Sequence, residues 1–357
     1  MRVLMKILAG LVLVLVIFCA AVVIQANVEI AREETRPPAE GAKGRMVAVA
    51  GHQWHVLSVG DPAGDPTGAP ILLIHGFAVA GAETFQPWAG TQLRGRSLIL
   101  PDLLGYGHSE RIPAAGPWYG LKGYSDALAE MLDRLGVAQV DLVGHSYGGA
   151  VAAQFALDHP DRVRRIVFID AATYVQPSAA EGIIQLPLGI GRALAWHAFG
   201  GGPWSINALA CKRLGCRWAE LARVANSTET LRAMMRSHRQ FPVSPPLAER
   251  IRQLRAPALV IWGEKDRIVP LADGQRLARE TRGRLIVIKD GPHMPYLRAG
   301  EAVGKAVREF LQPPQARMSR PTASTRVTPV SAMPMRSSAS NISRRRVTPA
   351  PPAAASA

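Results

Sequence analysis

The sequence predicts an α/β protein, a mostly parallel central sheet flanked by helices, with a helical insertion late in the chain. Three observations predict it. Residues 71–74, 97–100, 140–143, 165–169, 258–262 and 285–288 are short apolar runs without strict alternation, as expected of strands buried on both faces. Between them lie segments of helical spacing, which imply right-handed crossovers between parallel strands. The chain is 357 residues long and 48% hydrophobic, enough for a sizeable core.

Taken in order, the chain opens M-R-V-L-M-K and then runs from Ile7 to Ile24 without a charge. As a helix that stretch is about 27 Å long, close to the hydrocarbon thickness of a bilayer. Residues 1–26 therefore read as a retained membrane anchor, with a cleaved signal peptide as the alternative. Cys19 has no small residue before it, which argues against lipid modification. Arg2 and Lys6 favour a cytoplasmic N-terminus and an extracytoplasmic body, or a secreted one after cleavage; Arg32, Arg36 and Lys43 dilute the bias. Residues 27–45 are polar and contain proline, so a linker is expected. M-V-A-V-A and W-H-V-L-S-V, separated by Gly51-His52, suggest two short strands. Residues 61–70 have the composition of a turn.

Further on, Tyr124, Leu128, Met131, Leu132 and Leu135 recur at helical spacing up to Gly136, and residues 150–159 form another such segment before Pro160. From about 173 to 254 the strand rhythm stops. Helical patches carrying Trp196, Trp204, Trp218, Met234 and Met235 point to a cap over one end of the sheet. Cys211 and Cys216 lie within it, either as free thiols or as a pair closed by a turn at Gly215. Beyond residue 312 the chain is Pro, Ser, Thr, Ala and Arg, a composition that predicts disorder. Arg317, Arg320, Arg326, Arg336, Arg344, Arg345 and Arg346 lie there without an acidic neighbour, so about half of the net charge of +15 belongs to the tail. No aromatic residues interleave these arginines, and nucleic acid is not an expected partner.

The chemistry centres on D-L-V-G-H-S-Y-G-G-A-V. A serine at a tight strand-to-helix turn needs small neighbours, and Gly144, Ser146 and Gly148 have the G-x-S-x-G spacing between a strand-like run and a helix-like one. A serine hydroxyl needs a base, and the base needs an acid to fix its tautomer. His293 follows the last apolar run and Asp266 the one before it. Both are common loop residues when taken singly, but all three stand at strand exits. Asp170, at another strand end, is the second candidate for the acid. The backbone amides of Phe77, after His75-Gly76, and of Tyr147 are candidates for an oxyanion hole. Asp102 and His108 in P-D-L-L-G-Y-G-H-S read as loop-shaping residues. No Walker loop, dinucleotide fingerprint or zinc spacing occurs, so no cofactor and no metal are expected.

Gly144 to Gly149, H-G-F at residues 75–77, P-D-L-L-G-Y-G-H-S at 101–109, W-G-E-K-D at 262–266 and G-P-H-M-P at 291–295 together resemble the α/β-hydrolase superfamily over about residues 46–311. The resemblance implies a Ser146/His293/Asp266 triad, an oxyanion hole at Phe77 and Tyr147, and a cap at about 173–254. It excludes haloalkane dehalogenases and epoxide hydrolases, which carry an aspartate in the place of Ser146. Pro292 stands where relatives often have glycine. The function expected from these readings is hydrolysis of a carboxylic ester of a small, lipophilic or acyl substrate through an acyl-enzyme. The alternatives on the same triad are carbon–carbon bond hydrolysis, cofactor-free perhydrolysis and acyl transfer, and beyond them a binding protein without turnover.

Overall fold

The computed structural model describes residues 1–34, 43–65, 69–77, 81–112, 116–174, 182–183, 185–199, 228, 232–233, 235–236 and 246–312. Eight strands form one sheet: β1 (Arg45–Val49), β2 (His52–Val59), β3 (Ile71–Ile74), β4 (Leu98–Pro101), β5 (Val140–His145), β6 (Val163–Ile169), β7 (Ala258–Gly263) and β8 (Arg284–Ile288). Their spatial order is β1-β2-β4-β3-β5-β6-β7-β8. The first two strands form an antiparallel hairpin, and β2 pairs antiparallel with β4; every pairing from β4 to β8 is parallel.

The apolar runs are strands for the reason their composition gave, since both faces of the sheet are covered. On β3, Leu72 and Ile74 join one core with Leu128, Phe155, Phe168 and Trp262. Ile71 and Leu73, alternating to the other face, join Phe85, Val167, Ile261 and Val307. Helices α3 (Leu121–Arg134) and α4 (Tyr147–Asp158) cover the first face, and α2 (Gln86–Gln92) covers the second.

Strand order decides where a site can form. From β3 the chain steps outward to β4 and then crosses back to β5 on the other side of β3. The carboxyl ends of β3 and β5 thus border the crevice that opens where a parallel sheet reverses its winding. His75 and Gly76 leave one end, and Ser146 leaves the other.

The N-terminal helix α1 spans Arg2–Glu34. It corrects the expected start of the linker, because residues 27–34 continue the helix. Ala26 and Ile30, one turn apart, are buried against Ala193 and Trp196 of α5 (Ile190–Phe199), and Glu29 pairs with Arg32 at 2.8 Å. Packing thus carries the helix beyond its apolar run. Asn27 Nδ2 donates to Gly189 O at 3.1 Å, just before α5. Helix α5 belongs to the expected cap. Most of that cap, including Cys211 and Cys216, lies outside the described residues, as do the tail 313–357 and residues 35–42.

Candidate active site

The elbow is built by close packing of backbone. Ser146 has φ 53° and ψ −122°, a conformation that costs a non-glycine residue of order 1–3 kcal/mol and that surrounding bonds must hold. Its N–H donates to Ile169 O, and its carbonyl accepts from Gly149 N and Ala172 N, all within 3.0 Å. The neighbouring glycines are required by contact. A Cβ on Gly144 would lie 2.5 Å from Gly148 O, one on Gly148 2.2 Å from Ile74 O, and one on Gly149 2.4 Å from Ala171 Cβ. Small residues therefore surround the hydroxyl because β3, β5, β6 and α4 all converge there.

His293 follows β8, and Asp266 follows β7. His293 Nε2 lies 2.9 Å from Ser146 Oγ, and its Nδ1 lies 2.7 Å from Asp266 Oδ2. A carboxylate only accepts, so Nδ1 carries the proton and Nε2 accepts from the serine hydroxyl. Asp266 Oδ1 accepts from the amides of Ile268 at 2.7 Å and Val269 at 3.0 Å. Burial alone would raise its pKa, but His293 and those two amides together hold it below the ordinary carboxylate value. Its ionised form is therefore favoured.

Asp170, the second candidate, has a different place. Its Oδ1 accepts from Gly263 N at 2.8 Å. Burial, opposed by that bond and reinforced by nearby Asp266, raises its pKa well above the ordinary value. Asp170 thus favours its neutral form more than an ordinary carboxyl does, whereas Asp266 favours its ionised form.

For the oxyanion candidates, Tyr147 opens α4, where first-turn amides point out of the helix end. Phe77 follows Gly76, and a Cβ on Gly76 would come within 3.1 Å of Ser146 Cβ. The turn after β3 therefore runs directly beside Ser146.

Two histidines not singled out for a role in the sequence hold this arrangement. His145 Nε2 lies 2.8 Å from the carbonyl of His293, so that nitrogen carries the proton and donates across to the loop after β8. Burial first, and His293 second, push its pKa down to about 3, and the ring is neutral. His75 Nδ1 donates to Gly76 O at 2.9 Å, and its Nε2 accepts from Leu103 N at 3.0 Å, fixing the turn before Phe77 to the loop after β4. The signal in sequence was the variable position of G-x-S-x-G and the histidine of H-G-F, but a histidine there does not declare its partner.

Asp102 shapes its loop. It accepts from Ala82 N at 2.6 Å, His108 N at 2.9 Å and His55 Nδ1 at 2.8 Å. Side chains on Gly81 or Gly107 would collide with it. His108 contributes its backbone amide and sets its ring edge-on to His55. Among the described residues no group of three His, Cys, Asp or Glu is placed to hold a metal ion.

Comparison with known proteins bears on what this geometry serves. The model of the alpha/beta hydrolase family matches residues 71–306. A 2-hydroxymuconate semialdehyde hydrolase of Pseudomonas putida is 31% identical over 292 residues, covering 75% of this chain and 94% of the relative. A 2-hydroxy-6-oxo-2,4-heptadienoate hydrolase of the same species is 29% identical over 256 residues, covering 66% and 83%. The crystal structure of an enol-lactonase from Burkholderia xenovorans superimposes with a TM-score of 0.62 at 23% identity, covering 75% of this chain and 99% of that one. The family match runs from β3 into α6 (Gly300–Leu311), the last helix among the described residues, and so contains the elbow and both loops that face it. On that match and the near full-length relative, the chain belongs to the α/β hydrolase family.

Proposed function

We propose that the protein hydrolyses a carbon–carbon bond beside a ketone in an unsaturated oxo-acid, with Ser146 as nucleophile, His293 as base, Asp266 as orienting acid, and the Phe77 and Tyr147 amides as oxyanion donors. The observation that carries this reading is the likeness to hydrolases whose named substrates lack an ester. A 2-hydroxy-6-oxo-2,4-dienoate has no acyl–heteroatom bond, so hydrolysis must break the bond between C5 and the C6 carbonyl. Ester hydrolysis, which the residues alone suggested first, uses the same groups. The named relatives shift the preference to the alternative.

The steps follow from the geometry. Ser146 Oγ, 2.9 Å from His293 Nε2, gives up its proton as it adds to the carbonyl carbon. Charge on the carbonyl oxygen is met by the two amides. A carbon leaving group departs only if adjacent unsaturation accepts its electron pair. In the keto tautomer of such a dienoate, the conjugated 2-oxo group accepts it. His293 returns the proton to the departing dienolate, which leaves as the 2-hydroxydienoate, water then attacks the acyl group on Ser146 with His293 again as base, and a carboxylic acid leaves. The sum is one water consumed per bond broken.

The test follows loss of the conjugated absorbance of 2-hydroxy-6-oxo-2,4-heptadienoate, with acetate measured alongside, and p-nitrophenyl butyrate in parallel. Consumption of the dienoate with one acetate per turn, lost in Ser146→Ala, is expected. Turnover of the nitrophenyl ester alone would assign ester hydrolysis instead.

For α1 we propose a membrane segment, with the body on the extracytoplasmic side and the small-molecule substrate on the lipophilic side of its class. Support comes from the helix itself: an 18-residue window between Arg2 and Arg32 meets the length and hydropathy of a span, and none of it is buried against the described residues. Carbonate-washed membranes should retain the protein, whereas its release would remove this part of the proposal.

A further inference from the structure

Helix α1 does not end as a free tether. Its far end is locked to the cap by a fitted junction. Ala26, Ile30, Ala193 and Trp196 form a small buried core, and Val23 packs against it. Asn27 Nδ2 reaches Gly189 O, and a Cβ on Gly189 would lie 2.6 Å from that same nitrogen, so glycine is needed for the approach. The junction sits just past the apolar run. Asn27 is three residues beyond Ile24 and Ile30 is six, rises of about 4.5 Å and 9 Å along a helix.

At this height the cap turns apolar side chains outward. Ile183, Leu186, Leu188, Ile190 and Leu194 are all exposed, as are Ile24 and Val28 on α1. Leu188 is 88% exposed and has φ 57°, a left-handed conformation that disfavours a branched residue. A strained backbone that holds a leucine in water stabilises nothing within the described residues. It does suit a surface meant for an apolar medium. Arg192 on α5, and Arg236, whose guanidinium donates to Gln185 Oε1 at 3.0 Å, border the patch with positive charge.

We propose that this face of the cap, Ile183 together with residues 185–194, lies in the bilayer interface beside α1, so that helix and cap form one membrane-binding surface. The proposal rests on α1 being a membrane segment, and it adds that the cap itself inserts. An interfacial element buries its apolar side about 5–10 Å into the headgroup and acyl boundary, and the junction holds Gly189, Ala193 and Trp196 against the part of α1 that lies within about 9 Å of the end of its apolar run. The occupant is lipid, because the patch is continuous with the bare apolar helix rather than isolated on a water-facing side.

The test uses the full chain in vesicles of phosphatidylcholine and phosphatidylglycerol, with a benzophenone amino acid placed in turn at positions 11, 188, 194 and 122. Position 11 reads α1, positions 188 and 194 read the cap, and position 122, an exposed lysine in α3, reads the water side. Photolysis should attach lipid at 11, 188 and 194 to comparable extents and not at 122, with labelling at 188 and 194 lost in Leu188→Glu and Leu194→Glu backgrounds of the other site. Lipid at 11 without lipid at 188 or 194 would overturn the insertion of the cap and leave the anchor standing. Absence of lipid at 11 would remove the membrane reading and this inference together. A cross-link from 188 to a second protein chain in place of lipid would also overturn it.

Discussion

Burial and hydrogen bonding pull the two carboxyls near His293, Asp266 and Asp170, in opposite directions. Asp266 is held below its ordinary pKa, so its contribution to stability is present above about pH 3.8 and is lost as pH falls through the folded value. Asp170 is held above it, so the stability it carries is present below about pH 3.8 and is lost as pH rises toward the folded value. Asp170→Asn keeps an acceptor for Gly263 N and removes the titration. Urea unfolding should therefore show the variant gaining on wild type as pH rises above about 3.8, by up to about 1.4 kcal/mol per pH unit. A constant difference would mean that Asp170 ionises normally. Asp266→Asn should lower kcat by about 10⁴-fold, because the imidazole then adopts the wrong tautomer. His145→Ala cuts the bond to the His293 carbonyl. A displacement of about 1 Å in the base is expected to cost about 10²-fold in kcat, with KM little changed. An equal loss in thermal stability with unchanged kcat would make His145 a packing residue only.

At the scale of elements, the elbow is where strand, turn and helix constrain one another. Gly148 faces the carbonyls of Ile74 and His75, which cannot retreat without opening the β3–β5 pairing. Gly148→Ala should thus destabilise the fold by about 1–3 kcal/mol through overpacking, seen as a lower midpoint in denaturant at unchanged slope. The motif was readable in sequence because this crowding admits few residues. The strands were readable too, since the 140–143 run appears within β5 and the 258–262 run within β7. The extension of α1 to Glu34 was not. Its last turns are polar on most sides, and only contact with Ala193 and Trp196, some 160 residues away, gives Ala26 and Ile30 a reason to stay helical. A pattern read within one window cannot see such a partner. The same limit hid His145 and His75, whose bonds reach His293 and Leu103.

For the molecule as a whole, sequence order carried much of the site. Ser146, Asp266 and His293 stand at the ends of β5, β7 and β8, and a parallel sheet delivers all such ends to one rim. What order alone does not convey is how firmly the parts are joined. The bond from His145 to the carbonyl of His293 ties the residue before Ser146 to the residue whose ring faces the Ser146 hydroxyl. Across the sheet, β6 separates β5 from β7 and β8, so any flexing between strands would otherwise shear hydroxyl from imidazole. With that clasp in place, a shift of the loop after β8 relative to β5 has to stretch the bond between His145 and the His293 carbonyl before it can part hydroxyl from imidazole.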